Sequence, residues 1–212
     1  MRGCLTGCGN RRGSMLWLPE PPPGTPVCLA FDGSETSDFT VIKAETQAGL
    51  IFTPRWGSGG TIWDPREHGG RIPKGDVTEA VADLFGRFKV ARFYCDPPYW
   101  GTEVEEWAAT HGDEVVIKWA TYRPVPMHSA TERFMADLNS GRVKHDGCPI
   151  TARHMANARM AARRDGRYML AKPDVARKID AAVATVLVHE AAADQRAAGW
   201  LDTVDSRMIV LD

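Results

Sequence analysis

At 212 residues, 43% hydrophobic and 25% charged, the chain can fill one core, and its composition excludes a fibrous or wholly disordered protein. The formal net charge of −1 does not announce a nucleic-acid binder, although a local basic stripe can hide inside such a balance. Five scattered cysteines, Cys4, Cys8, Cys28, Cys95 and Cys148, argue against a disulfide framework and for a reducing, cytoplasmic compartment. No run approaches the ~18 apolar residues of a membrane span. MRGCLTGCGNRRGSMLW has positive charge but no apolar stretch of a secretory signal. Its Cys4 and Cys8 resemble half of a zinc site without the second half.

In chain order, residues 1–26 read as a flexible basic arm and a proline-rich linker, LPEPPPGTP, stiff enough to act as a spacer. VCLAFDGS is then a short apolar strand ending at Asp32, FTVIKAET alternates like a half-exposed strand, and GLIFTPRW makes a third, giving an antiparallel meander. Residues 57–75 read as a Gly-rich loop. From Asp76, taken as an N-cap with Glu79 three residues on, Val77, Val81, Leu84, Phe85 and Phe88 line one helical face. VARFYCD is a buried strand, TEVEEWAATHG a short helix, and EVVIKWAT a strand. SATERFMADLNSG is a helix with Ser129 and Glu132 as its capping box. NARMAARRDGRYMLAK is a hairpin turning at Asp165-Gly166. The last helix opens at PDVARK, with Asp174 as cap, and places Ile179, Val183, Val186 and Leu187 at helical spacing. One domain over 27–200 and a tail over 201–212 follow.

Antiparallel strands followed by alternating helix and strand require a mixed sheet covered by helices on both faces. This is the order of the ribonuclease H-like α/β fold, with an added β-hairpin.

ARFYCDPPYW poses the functional question. Asp-Pro-Pro-Tyr at a strand end is how an adenine methyltransferase holds an extruded base, but that chemistry needs a glycine-rich strand-to-helix turn for S-adenosylmethionine. The best candidate, LAFDGSET, has one glycine and runs on into a strand, so the methyltransferase is the weaker reading. The stronger one asks where other carboxylates converge. Asp32 ends the first strand as Asp96 ends the fourth, and these strands are neighbours in a mixed sheet; Asp180 flanks the apolar stripe of the last helix. Taken singly, each has a bland reading: a turn residue, a strand terminator, a solvated helix position. Together they form a repelling cluster that implies cations, and oxygen ligands favour Mg2+ or Mn2+, two ions serving a phosphodiester. Asp38 is a fourth candidate or simply the start of the second strand. Trp56, Trp63, Tyr99 and Trp100 read as core or loop packing rather than as stacking platforms.

LAFDGSETSDFTVI, FYCDPPYW and HDGCPITARHMANARMAARRDGRYMLAKPDVARKIDAAVA resemble, in order and spacing, the nuclease domain of phage terminase large subunits, especially those of phages infecting actinobacteria. The likeness runs from about residue 16 to residue 198. It implies a ribonuclease H-like endonuclease cutting concatemeric viral DNA during packaging, with metal-binding aspartates at Asp32, Asp96 and Asp180. It adds His154 and Asn157 as family-typical residues suited to packing or hydrogen bonding. It implies partners as well: double-stranded DNA, a terminase ATPase, the small terminase subunit and the portal, all in the host cytoplasm. The P-loop of the family's motor does not occur in this sequence, so a separate ATPase chain is expected, with this chain as a split-gene half, a fragment or a remnant.

Between Arg153 and Lys178 the sequence carries Arg153, Arg159, Arg163, Arg164, Arg167, Lys172, Arg177 and Lys178 against Asp165 and Asp174. Such an excess suits phosphate contact without base specificity, and Arg163, Arg164, Arg167 and Lys178 are the expected DNA-binding residues. The alternatives are a resolvase or transposase on the same fold, and a non-catalytic module docking on a motor chain or DNA.

Overall fold

The structure, a computed structural model, describes residues 20–200. Cys4 and Cys8, most of the basic arm and the tail over 201–212 lie outside the described residues. The described end of the linker is tied to the domain: Arg87 Nη1 donates to Glu20 Oε2 at 2.7 Å and Gly24 N to the Arg87 carbonyl at 2.7 Å.

Strands β1 (Pro26–Asp32), β2 (Thr40–Thr46) and β3 (Leu50–Phe52) form the expected meander. Segment 57–75 is more structured than a loop. After β4 (Arg55–Trp56) come β5 (Gly59–Gly60), β6 (Ile62–Trp63) and a 3-10 helix over Pro65–His68; β6 pairs with β2 beyond the end of β3. Then come α1 (Lys74–Arg87), β7 (Lys89–Cys95), α2 (Gly101–His111), β8 (Val116–Lys118) and α3 (Pro124–Asn139). The chain continues through β9 (Lys144–His145), α4 (Pro149–Asn157), the hairpin β10 (Arg159–Ala162) and β11 (Tyr168–Ala171), and α5 (Asp180–Ala197). The sheet runs β8-β7-β1-β2-β3-β9, antiparallel in the meander and parallel at β1-β7 and β7-β8. That is the ribonuclease H-like mixed sheet.

Strand alternation divides the core. Val27, Leu29 and Phe31 of β1, with Phe93 and Cys95 of β7, pack with α1 and α2. Cys28, Ala30 and Tyr94 pack on the other face with α3 and α5. α5 is buried nearly all round, including Ala181, Ala182, Ala184, Leu187, Val188, Ala191 and Ala192, so it is a core helix rather than one with a single apolar stripe. Under it β2 is buried at every position, not half-exposed. Its polar residues survive because each has partners: Lys43 donates to Thr53 and Thr151, and Glu45 faces His189 and Arg196.

Three helix starts differ from expectation. α1 begins before Asp76, with no side-chain cap; the Asp76 carboxylate instead accepts from Trp56 Nε1 at 3.0 Å and Trp63 Nε1 at 2.6 Å. α3 starts at Pro124, because proline suits a first turn that needs no N–H, and Ser129 sits inside it, donating to the Val125 carbonyl. Asp174 closes a local turn onto Ala176 and Arg177, and α5 waits until Asp180. In each case a short polar side chain found a local or tertiary partner more favourable than a cap.

Asp76→Ala leaves two indole N–H groups without their acceptor, Trp63 being 3% exposed, and is expected to lower unfolding free energy by about 2 kcal/mol or more. Asp76→Asn, which keeps an acceptor oxygen, should lose clearly less. Urea unfolding of the two variants makes the comparison, and equal losses would put the cost in helix α1 rather than in the indole bonds.

Candidate functional site

β1 and β7 run parallel with Phe31 beside Cys95, and Asp96 N donates to the Phe31 carbonyl at 3.0 Å. Asp32 and Asp96 therefore emerge together at the carboxyl end of this pair, where open α/β sheets place their ligands. Alternation turns both toward the α5 side, since Ala30 and Tyr94 already face it. α5 presents Asp180 in its first turn. The structure brings these three aspartates, and Asp38, into one electrostatic neighbourhood.

Each carboxylate is held differently. Asp96 is 7% exposed and accepts from Thr121, which follows β8, through the backbone N–H at 3.1 Å and Oγ1 at 2.6 Å. Burial raises its pKa above the usual carboxylate range, and the two Thr121 bonds oppose that rise. Asp180 Oδ2 accepts from Phe39 N at 3.3 Å; burial, then the Asp38 charge, pushes its pKa up to about 6. Asp38 is clamped by Lys172 Nζ at 2.9 Å and Lys178 Nζ at 2.7 Å. Its own burial would raise it, yet these two ammonium groups hold it below the ordinary value. Asp32 has no hydrogen-bond donor on its side chain among the described residues. Burial, then Asp180, Asp96 and Asp38, raises its pKa well above the usual range.

The β1-β2 loop is stiff enough to set Asp38 and Phe39 in place. Ser34 N donates to Thr40 Oγ1 at 3.1 Å, Thr40 Oγ1 returns to the Ser34 carbonyl at 2.9 Å, and Asp38 N donates to Ser34 Oγ at 3.2 Å. LAFDGSET thus runs from strand through loop to antiparallel strand, not into the helix that a methyltransferase cofactor turn requires. His154 is 1% exposed and its Nδ1 accepts from Ala181 N at 3.1 Å, fastening the first turn of α5. Burial, with Arg153 beside it, depresses its pKa to about 4. Asn157 Nδ2 donates to the Lys178 carbonyl at 2.9 Å, so both residues brace the lead-in to Asp180.

As donors for a metal these residues have the right chemistry: hard oxygens, mutually repelling, one of them without a protein partner. The set is open, however. Among the described residues no three His, Cys, Asp or Glu side chains are gathered closely enough to hold an ion as they stand. Thr121, Phe39 and the two lysines have turned three of the four carboxylates toward protein donors.

Of the expected DNA-binding residues, Arg163 and Arg164 lie exposed at the hairpin turn, where Arg163 N meets the Arg167 carbonyl and Gly166 takes φ 81°. Arg167 pairs with Asp165 at 2.8 Å. Lys178 is engaged by Asp38. The hairpin joins the site at its base, where Lys172 follows β11, and packs on α3 through Tyr168 and His128, ring centroids 4.4 Å apart. Trp63 and Trp100 are core residues and Trp56 is half-buried, but Tyr99 is 72% exposed at φ 65° and is not packed. Thr121 and the Phe39 amide carry no sequence pattern that marks them as site residues, and Lys172 belongs to the basic run without anything there pointing to Asp38.

No protein-family model matches the chain. It is 31% identical over 183 residues to the Gene 13 protein of Mycobacterium phage D29, a match covering 81% of this chain and 30% of that protein; the chain spans under a third of the length of this relative. The fold is shared with the large terminase nuclease from thermophilic phage G20c with bound magnesium (TM-score 0.62, 14% identity, 85% of this chain and 89% of that one). It is shared also with the HK97 bacteriophage large terminase (TM-score 0.61, 18% identity, 80% of this chain and 40% of that one).

Because the folded chain prefers Asp180 neutral, the cost of its charge is absent below its unperturbed value of 3.8 and appears in full as pH rises through about 6. In chelator, Asp180→Asn is therefore expected to stabilise the protein above pH 6 by on the order of 1 kcal/mol, discounted for partial exposure, and by nothing near pH 4. Thermal midpoints across that range check it; a constant offset at every pH would remove the electrostatic explanation.

Proposed function

We propose that this chain is a metal-dependent DNA endonuclease that cuts viral DNA during genome packaging. The carrying observation is Asp32, a carboxylate with no hydrogen-bond donor among the described residues, set among Asp96, Asp180 and Asp38 at the carboxyl end of β1 and β7. The shared fold with a magnesium-bound terminase nuclease and the likeness to a mycobacteriophage protein support the reading.

Asp32, Asp96 and Asp180 are the residues that would hold one or two Mg2+ or Mn2+ ions, which when bound would lower the pKa of a water and stabilise the leaving oxygen of a phosphodiester. The chain's own contribution is position and charge. Thr121 fixes the rotamer of Asp96, and the Phe39 amide with His154 sets Asp180. Lys172 and Lys178 keep Asp38 ionised while neutralising it, so a phosphate meets less repulsion from that side. Arg163, Arg164 and Arg167 supply cations on the hairpin for double-stranded DNA. The motor ATPase, small subunit and portal of a packaging complex belong to the same proposal.

One observation favours a second reading. The carboxylate set is open and Asp38 is tied off by lysines, which also suits a module that docks on DNA or a motor chain without cutting.

Supercoiled plasmid with Mn2+ separates the two. Nicked or linear product is expected, abolished by chelator and reduced at least about a hundredfold by Asp96→Asn. Identical absence of cleavage by parent and variant at high enzyme, with DNA still bound, would establish the docking module. Preference for branched over linear duplex would redirect the reading to a resolvase, and labelled S-adenosylmethionine transfer would restore the methyltransferase. Separately, Arg163→Ala with Arg164→Ala should weaken duplex binding more at low salt than at high salt; unchanged low-salt affinity takes the hairpin out of the interface.

A further inference from the structure

Beside the carboxylates lies a cleft of about 320 Å³ whose walls include Arg66, Arg153, His154, Asn157, Arg177 and Lys178. Phe39, the residue whose amide holds Asp180, also lines it. The cations are only partly neutralised. Arg66 pairs with Asp64 at 2.5 Å, Arg177 with Asp174 at 3.2 Å and Lys178 with Asp38 at 2.7 Å. Arg153, exposed on α4, has no carboxylate partner among the described residues. An excess of positive charge remains on the wall.

His154 adds a feature that a merely solvated basic face lacks. Its Nδ1 accepts the Ala181 N–H, so the ring is neutral and carries its proton on Nε2. That Nε2–H is a donor on a side chain 1% exposed, lining the cleft, with no protein acceptor among the described residues. Phe39 holds the ring edge-on, centroids 4.9 Å apart and planes at 86°, so the donor cannot swing away to find one. Among the described residues the one buried side-chain polar atom without a partner is Glu190 Oε2, so His154 Nε2–H is met by solvent through the cleft, and a ligand oxygen entering there can replace that water as its acceptor. Guanidinium groups around a fixed neutral donor suit a phosphate, whose several oxygens can accept from all of them at once.

We propose that this cleft is a phosphate subsite that receives a non-scissile backbone phosphate of the DNA strand, with His154 Nε2–H, Arg153 and Arg177 as its contacts. The inference rests on the nuclease reading of the neighbouring aspartates. It gives His154 two jobs on one ring: Nδ1 sets the first turn of α5, and Nε2 holds the strand. Occupying the cleft would fix the register of the strand against Asp32 and Asp180 without reading any base.

The experiment uses the full chain, a short labelled duplex and chelator, so that binding is read without cleavage. Arg153→Ala with Arg177→Ala, both exposed and outside the carboxylate set, is expected to weaken binding about tenfold at low salt and to flatten the slope of log K against log salt by about one to two. The 15N-coupled His154 Nε2–H signal should shift on adding duplex and respond to inorganic phosphate only at far higher concentration. Parent-like affinity and slope in the double variant would overturn the subsite, as would inorganic phosphate moving the His154 signal as readily as duplex does, which marks an adventitious ion only. If the parent itself binds no DNA, the nuclease reading falls together with the subsite; if the parent binds and cuts while the double variant is unchanged, only the subsite falls.

Discussion

Like charges at the end of a sheet are the constraint to which the rest of the structure answers. Two carboxylates 4 Å apart would repel by about 4 kcal/mol at an effective dielectric near 20, and Asp32 feels the charge of three others, Asp180, Asp96 and Asp38. A chain that folds with them together must hold each one from outside the cluster. The holders come from far apart in sequence: Thr121 after β8, the Phe39 amide before β2, Lys172 after β11 and Lys178 before α5. The cluster can therefore form only when the sheet, the hairpin and the last helix are all in place, and placing them is what the topology achieves.

Helix α5 carries most of that burden and is pinned at both ends. Its first turn is fastened by His154. Toward its other end, His189 bridges Glu45 at 3.0 Å and Asp137 at 3.2 Å, and Arg196 reaches back to Glu45. These buried polar contacts add little to stability over an apolar packing, yet losing one partner would strand the buried Glu45 carboxylate, so they fix the register of α5 against β2 and α3. Between the two ends alanines let the helix lie close to β1 and β2. Register along this axis decides where Asp180 sits relative to Asp32, so the distant ionic network serves the site without touching it.

Much of this was legible in the residues. Apolar runs ending at Asp32 and Asp96 marked the two strands, and their adjacency in a mixed sheet put both carboxylates at one edge. Asp165-Gly166 marked the hairpin, and the element order marked the mixed sheet. What escaped were interactions whose partners have no sequence proximity. Asp76 and Ser129 looked like caps because a cap is the local use of such side chains; tertiary indoles claimed Asp76, and a helix start supplied by Pro124 left Ser129 inside. β2 read as half-exposed because Lys43 and Glu45 alternate with apolar residues, and only the threonines of β3's end and α4, with His189 and Arg196, make their burial tolerable. The lysine clamp on Asp38 was invisible for the same reason: 134 and 140 residues separate its members.

Asp-Pro-Pro-Tyr-Trp now reads as a device for ending a strand at a carboxylate. Pro97 and Pro98 offer no N–H to extend the sheet, and Trp100 N closes back on the Pro97 carbonyl at 3.1 Å. Trp100 then enters the core edge-on to Phe31, centroids 5.0 Å apart, and its Nε1 donates to the Ser34 carbonyl at 3.2 Å. That bond ties the end of β7 to the loop bearing Asp38, so one aromatic anchors two carboxylate-bearing segments at once. Tyr99 takes the consequence. To turn the chain from the prolines into a buried Trp100 it adopts φ 65°, a conformation unfavourable for a bulky residue, while Lys74 Nζ donates to its carbonyl at 2.6 Å. The strain is spent on orienting Trp100, and through it Asp96, rather than on presenting an aromatic to a base.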